Sequence, residues 1–167
     1  MFKEIKATEI KDNAVDLIRN QWGIITAGNK DSFNGMTVSW GAIGELWGRD
    51  MLTAYIRPQR YTKEFLDSNE YFSFSVYPNE LKRIHGVFGS MSGRDVDKTK
   101  ETGLTPVFSE AAPYYDEAKL VIICRKAAVG KFDSEQFCDE NIIDECYPDN
   151  DFHYIYYGEI IKVLVKE

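Results

Sequence analysis

The stretch Tyr71-Phe72-Ser73-Phe74-Ser75-Val76-Tyr77 decides how the rest of the chain is read. Phe72, Phe74 and Val76 alternate with Ser73 and Ser75, the period of a strand with one face in a core. Met36-Thr37-Val38-Ser39-Trp40-Gly41 repeats the pattern, with Met36, Val38 and Trp40 on one face and Thr37 and Ser39 on the other. Trp22 to Ala27, Met51 to Arg57 and Lys119 to Arg125 read as further strands, and Phe152 to Val165 as one long strand or two joined at Gly158. Helical spacing is confined to short segments. One runs from about Asn13 to Asn20, one follows Pro58 and carries Phe65 and Leu66, and one opens at Pro78-Asn79 with a stripe of Leu81, Ile84, His85 and Phe88. Six or so strands with little helix predict a mainly β protein, an antiparallel barrel with short flanking helices. Neither a linker nor a repeat divides residues 1–167, so a single domain is expected. The acidic segment from Asp133 to Asn150 has no readable shape.

The composition narrows the function classes. Hydrophobic residues make up 44% of the chain and charged residues 28%, which is globular rather than disordered. The formal net charge of -7 repels nucleic acid and anionic membranes, so neither is expected as a partner. An anion must instead be held by local groups. Aromatic residues reach 14%, which favours strands and supplies surface for a planar ligand or a partner subunit. No apolar run is long enough for a membrane helix, and the start does not read as a signal peptide. With three cysteines and no CxxC, a reduced, cytoplasmic setting is expected. Cys124 ends an apolar run and reads as core; Cys138 and Cys146 flank an acidic loop and read as two unremarkable thiols, with a redox pair as the alternative.

Several chemistries are excluded by spacing. No two glycines lie two apart, so there is no GxGxxG, and Lys98-Thr99 follows Asp97 rather than the glycine of a P-loop. Met91 stands where a nucleophile elbow needs Ser. Asp95-Val96-Asp97 starts like a calcium loop, but Lys100 takes the glycine position. Two histidines and no paired cysteines give a metal site little to stand on, and none is expected.

What is left is a pair of cationic segments. Arg57-Pro58-Gln59-Arg60-Tyr61-Thr62 lies at a strand-to-helix corner, where two arginines and a hydroxyl suit a phosphate group. Ser90-Met91-Ser92-Gly93-Arg94-Asp95-Val96-Asp97-Lys98 gathers hydroxyls, glycine and fixed positive charge after a short helix. The bland alternatives are a capping Thr62, surface arginines, and Thr37 and Ser39 on a solvated sheet face. His85, on an apolar helical stripe, reads as a packing histidine. For His153, at a strand start after Asp149-Asn150-Asp151, packing and function weigh equally.

Five blocks resemble one known family. Trp22-Gly-Ile-Ile-Thr-Ala-Gly-Asn29, Met36 to Gly41, Arg57 to Thr62, Ser92 to Lys98 and Asp151-Phe-His-Tyr-Ile-Tyr-Tyr-Gly-Glu159 occur in the order found in the flavin reductase-like, FMN-binding split-barrel family, closest to its flavoredoxin-like branch. The resemblance implies a homodimeric split barrel holding FMN noncovalently. On that pattern Asn34, Met36, Thr37, Val38, Ser39 and Trp40 lie along the flavin. Arg57, Arg60, Tyr61 and Thr62 meet the phosphate end, and Ser90, Ser92, Gly93 and Lys98 complete the cradle. His153 matches a histidine near the flavin and nicotinamide, where it positions or shields rather than acting as an obligatory acid. NAD(P)H is then the expected co-substrate, and a small molecule or protein the electron acceptor. The competing expectation is an FMN-binding electron carrier reduced by a protein partner. A third expectation is a cofactor-free barrel that binds oligonucleotides or a protein partner, and the negative charge argues against nucleic acid.

Overall fold

The structure, a computed structural model, describes residues 1–167. The alternation of Tyr71–Val76 (β6) does make it a central strand. It lies between Gly23–Gly28 (β2) and Leu120–Lys131 (β9) in an antiparallel sheet of eight strands. The order is β3-β2-β6-β9-β10-β5-β4, where β3 is Phe33–Val38, β4 Gly41–Leu46, β5 Arg49–Ile56 and β10 Tyr154–Lys166. One edge of β10 serves two partners. Its first half pairs with β5 from Tyr154 to Glu159, and its end pairs with Phe2–Ile5 (β1) from Val163 to Lys166. Pro106–Val107 (β7) and Tyr114–Tyr115 (β8) form a separate ribbon. The fold is therefore mainly β and antiparallel as expected, with ten strands rather than six or so, and the sheet is a split barrel rather than a closed one. β3 and β4 are its two ends.

The chain crosses that open seam in two residues. Val38 still pairs with Gly23, and Gly41 already pairs with Ala54 on the far side. Ser39 and Trp40 thus lie between two strands rather than inside one, which corrects the single run expected from Met36 to Gly41. Their alternation was real, but the backbone leaves the ladder after Val38.

Both faces of β6 are buried. Phe72, Phe74 and Val76 enter the larger core with Ile25, Met36, Leu52, Ile122 and Tyr156. Ser73 and Ser75 face a second core built from Ile24, Ile84, Phe88, Tyr114, Tyr115 and Val121. Small hydroxyls leave room for this layer; Ser73 Oγ donates to the Pro113 carbonyl at 2.6 Å, whereas Ser75 Oγ is buried without a hydrogen-bond partner. β10 is continuous through Gly158, with register shifts at Tyr157/Gly158 and Ile160/Lys162. A Cβ at Gly158 would fall 2.5 Å from the Phe72 ring and 2.7 Å from Cys124 Cβ, so the bulged strand can press into the core only with glycine there.

Short helices cover the ends. Asn13 caps the first, accepting from the Val15 and Asp16 amides. It begins as Ala14–Asp16 (α1) and widens into a π-turn over Leu17–Gln21, burying Leu17 and Ile18. Thr62–Ser68 (α2) and Ile84–Ser90 (α3) pack against β3, and Lys98–Thr102 (α4) packs against α3. The acidic segment folds into a helical turn at Ser134–Gln136 and a helix at Asn141–Cys146 (α5). No helix is long and apolar enough to cross a membrane.

Candidate functional site

Beside β3, the start of α2 and the loop from α3 to α4 enclose a cavity of about 120 Å³. Asn34, Met36, Arg60, Tyr61, Thr62, Ser90, Ser92, Gly93 and Lys98 line it, with Gln59, Phe88 and Met91. Nine residues chosen from separate stretches of sequence therefore share one small space.

Lys98 dominates its electrostatics. It opens α4, is only 6% exposed, and donates from Nζ to the carbonyls of Gly35 (2.9 Å) and Phe88 (3.3 Å). An ammonium has three donors, so one N–H has no protein acceptor. No carboxylate pairs with Lys98, and burial, followed by the charge of Arg60, lowers its pKa to about 8. Arg60 likewise has no carboxylate partner; its Nη1 donates to the Gly89 carbonyl at 3.1 Å. Two cations thus converge on one cavity without a counter-ion.

The neutral donors complete the set. Asn34 Nδ2 donates to Thr62 Oγ1 at 2.8 Å, which leaves the hydroxyl proton of Thr62 free for a ligand. Ser92 Oγ accepts from the Arg94 amide at 3.2 Å, so its proton is free as well. Ser90 differs, because its hydroxyl is already committed to the Gly86 carbonyl at 2.6 Å. Gly93 admits no side chain: a Cβ there would meet Asn34 Oδ1 at 2.1 Å. Two cations, two free hydroxyl protons and close-approaching backbone fit a small dianion such as a phosphate monoester.

A second cavity of about 220 Å³ adjoins the first, sharing Met36 and Arg60. Thr37, Val38, Ser39, Trp40, Tyr55, Arg57 and His153 complete its lining. Thr37 is not on a solvated face: Oγ1 donates to the His85 carbonyl (3.1 Å) and lies 3.2 Å from His85 Nδ1. His85 packs edge-on against Trp22 and Tyr77, and burial, then Lys82, lowers its pKa to about 4. It is a packing histidine, as its apolar stripe suggested. Arg57 lines this cavity and not the smaller one. Its guanidinium pairs with Asp151, donates to the Cys146 carbonyl at 2.8 Å and lies over the Tyr147 ring. Asp151 also accepts from Gln59 Nε2 at 2.8 Å.

His153 is 7% exposed, between Trp40 (centroids 4.9 Å) and Tyr147, whose Oη lies 2.8 Å from Nδ1. Burial, then the charge of Arg57, lowers its pKa to about 4, so the imidazole is neutral at pH 7.

Beyond Trp40 and Tyr55 opens a groove of about 800 Å³, lined by Val15, Ile18, Trp22, Ile43, Phe132, Phe137, Ile142 and Tyr147 among others, with Arg19 as its one charged residue. Tyr55 stacks on Phe132 at 5.8 Å with the rings 9° from parallel. Sequence reasoning missed Tyr55, Phe132, Phe137 and Tyr147. A usable signal was the set Phe137, Tyr147 and Phe152 in an otherwise acidic stretch, since aromatics there need something to cover. All three cysteines are free, and no cluster of His, Cys, Asp or Glu gathers as a metal site.

Comparison with known proteins agrees with the fold. The family model described as flavin reductase like domain matches residues 16–167. Among solved structures, flavoredoxin from Methanosarcina acetivorans shares 22% identity with a TM-score of 0.70, covering 88% of this chain and 69% of its own. The FMN-binding protein from Thermus thermophilus with bound 1-cyclohex-2-enone shares 20% identity at a TM-score of 0.67, covering 85% of this chain and 68% of its own. A Streptomyces globisporus NADH:FAD oxidoreductase shares 17% identity at a TM-score of 0.66, covering 87% of this chain and 75% of its own. No curated protein matches the sequence.

Proposed function

We propose, from the premise that this chain belongs to the flavin reductase-like domain family of flavin-binding redox proteins, that it is an FMN-dependent oxidoreductase of flavin reductase type. In this reading a hydride from NAD(P)H reduces bound FMN, and the electrons pass onward to a small-molecule or protein acceptor. One observation carries it: Lys98, buried beside Arg60 with no carboxylate, supports a site for the phosphate of the cofactor.

Each residue then has a task. Lys98 and Arg60 hold the phosphate dianion, with the free protons of Thr62 and Ser92 on its remaining oxygens. Gly93 lets the backbone come close. Asn34 holds Thr62 in place, and Met36 spans the two cavities. The Thr37–Trp40 stretch would flank the cofactor ring, with Trp40 and Tyr55 offering aromatic surface beside it. When bound, the flavin supplies the hydride chemistry. His153, neutral and enclosed, offers a hydrogen bond rather than a mobile proton. Arg57 acts through the acidic segment, holding Asp151 and Tyr147 rather than the phosphate.

The alternative, an electron carrier reduced by a protein partner, draws support from the groove. NAD(P)H brings a diphosphate, and the groove offers Arg19 as its single cation. Exposed Val15, Trp40 and Ile142 at the groove also support a homodimer, to be checked by light scattering. The deciding experiment is an anaerobic visible spectrum of the purified protein before and after NADH, then NADPH. A flavin spectrum that bleaches supports the reductase. One that persists supports the carrier, and a colourless protein that takes up no FMN overturns both.

A further inference from the structure

The acidic segment brings one of its side chains, Tyr147, against His153. Tyr147 closes α5, its amide bonded to the Ile143 carbonyl at 2.8 Å. A turn follows, in which the Asn150 amide bonds back to the Tyr147 carbonyl at 3.0 Å and Asn150 takes φ 55. That reversal brings His153 against the residue six places before it. Tyr147 is 3% exposed, fixed by the rings of Phe137 (5.7 Å) and Phe152 (4.9 Å) and by the guanidinium of Arg57, 5.3 Å from its centroid.

We propose that Tyr147 is a positioning residue: its hydroxyl donates to His153 Nδ1, locks the imidazole as the Nε2–H tautomer, and so presents an N–H donor to a carbonyl oxygen of the ligand in the cavity beside Trp40. The hydrogen inventory supports this. Tyr147 Oη carries one proton, and His153 Nδ1 is its one acceptor within the protein, the other contact being the His153 backbone N–H, a donor; burial pushes the Tyr147 pKa upward, so it stays a phenol. In the opposite arrangement His153 Nδ1–H would donate to Oη and strand the phenol proton in a buried place, a costly state. A neutral imidazole carries one N–H, so accepting at Nδ1 places that hydrogen on Nε2. Nε2 makes no hydrogen bond within the protein, and its ring lines the same cavity as Thr37, Arg57 and Arg60. Arg57, Arg60 and Asp151 are the charged groups around the ring, and their sum, with burial, disfavours imidazolium.

The ligand's identity rests on the flavin reading above, whereas the tautomer does not. The test is therefore the ¹⁵N imidazole spectrum of the labelled full-length protein, simple to assign because His85 and His153 are the chain's two histidines. The expected result is a neutral Nε2–H form for His153 between pH 5.5 and 8, turning into a tautomer mixture in Tyr147→Phe. The same variant is expected to keep its FMN and to slow flavin reduction roughly tenfold, the loss of one oriented hydrogen bond. A wild-type Nδ1–H form overturns the proposal, and needs no variant to fold. A Tyr147→Phe spectrum identical to wild type overturns it equally. If the protein proves to bind no flavin, the imidazole spectrum still reads, so the two ideas fail separately.

Discussion

The two ends of the site treat positive charge in opposite ways. Around Arg57 the cation is answered: Asp151, the Cys146 carbonyl and the Tyr147 ring surround it. Around Lys98 and Arg60 the cations meet backbone carbonyls and, for Lys98, the Phe88 ring, but no carboxylate. The difference separates structure from binding. A matched ion pair ties two parts of a chain together, here β5 to the acidic segment. The unmatched buried charge of Lys98 costs folding energy and is of the kind kept where a ligand supplies the missing partner; Arg60, exposed beside it, adds a second cation without a carboxylate.

The largest expected effect comes from the unmatched side. Lys98→Ala should weaken FMN binding by about 2–3 kcal/mol, roughly 30- to 150-fold, the range for a charge-assisted hydrogen bond. Calorimetric titration with FMN checks this, and an unchanged affinity would break the distinction. Arg57→Ala should do the reverse, leaving FMN affinity within a few-fold while costing about 1–2 kcal/mol in urea unfolding. That figure is reduced from the cost of a fully buried pair because both partners are partly exposed.

The pH dependence sharpens the same contrast. Because the folded pKa of Lys98 is lowered to about 8, the folded ligand-free protein gives up a proton that the unfolded chain keeps until near pH 10. Stability of the ligand-free protein should therefore rise, from this group, between pH 8 and 10, while FMN affinity falls about tenfold as the charge is lost. Titrations at pH 7 and 10, with Lys98→Ala as the insensitive control, measure it. Smallest is Thr62→Val, which removes one hydroxyl donor and should weaken FMN by about 1 kcal/mol, roughly fivefold. A dissociation constant equal to wild type would mean the hydroxyl proton points elsewhere.

Much of this was legible in the sequence, and the failures have physical causes. Phe72, Phe74 and Val76 announced their strand because alternation is local. The residues that share the smaller cavity could be grouped because hydroxyls, glycine and cations cluster within short stretches, as from Ser90 to Lys98. What covers Ser73 and Ser75 could not be read, since α3 and the β7–β8 ribbon reach them only in three dimensions. β4 escaped because Gly41 and Gly44 dilute its pattern, and because its hairpin turns at Trp47-Gly48, with φ 60 and 71, rather than at a more familiar Asn-Gly. β1 has no partner but the distant end of β10. Arg57 looked like its neighbour Arg60 because the carboxylate that claims it lies 94 residues further along. Tyr147 went unnoticed for a different reason: the imidazole it meets lies only six residues on, but the direction in which the turn through Asn150 folds back is not written in those residues.

The passage of the chain from β3 to β4 through Ser39 and Trp40 acts as a caliper on the molecule. Three Cα steps separate Val38 from Gly41, so the two free rims of the sheet can never stand more than about 11 Å apart at that level. The ladders may breathe elsewhere, but the mouth beside Trp40 has a maximum gauge written into the covalent chain, and lengthening that passage is the shortest route to a wider one.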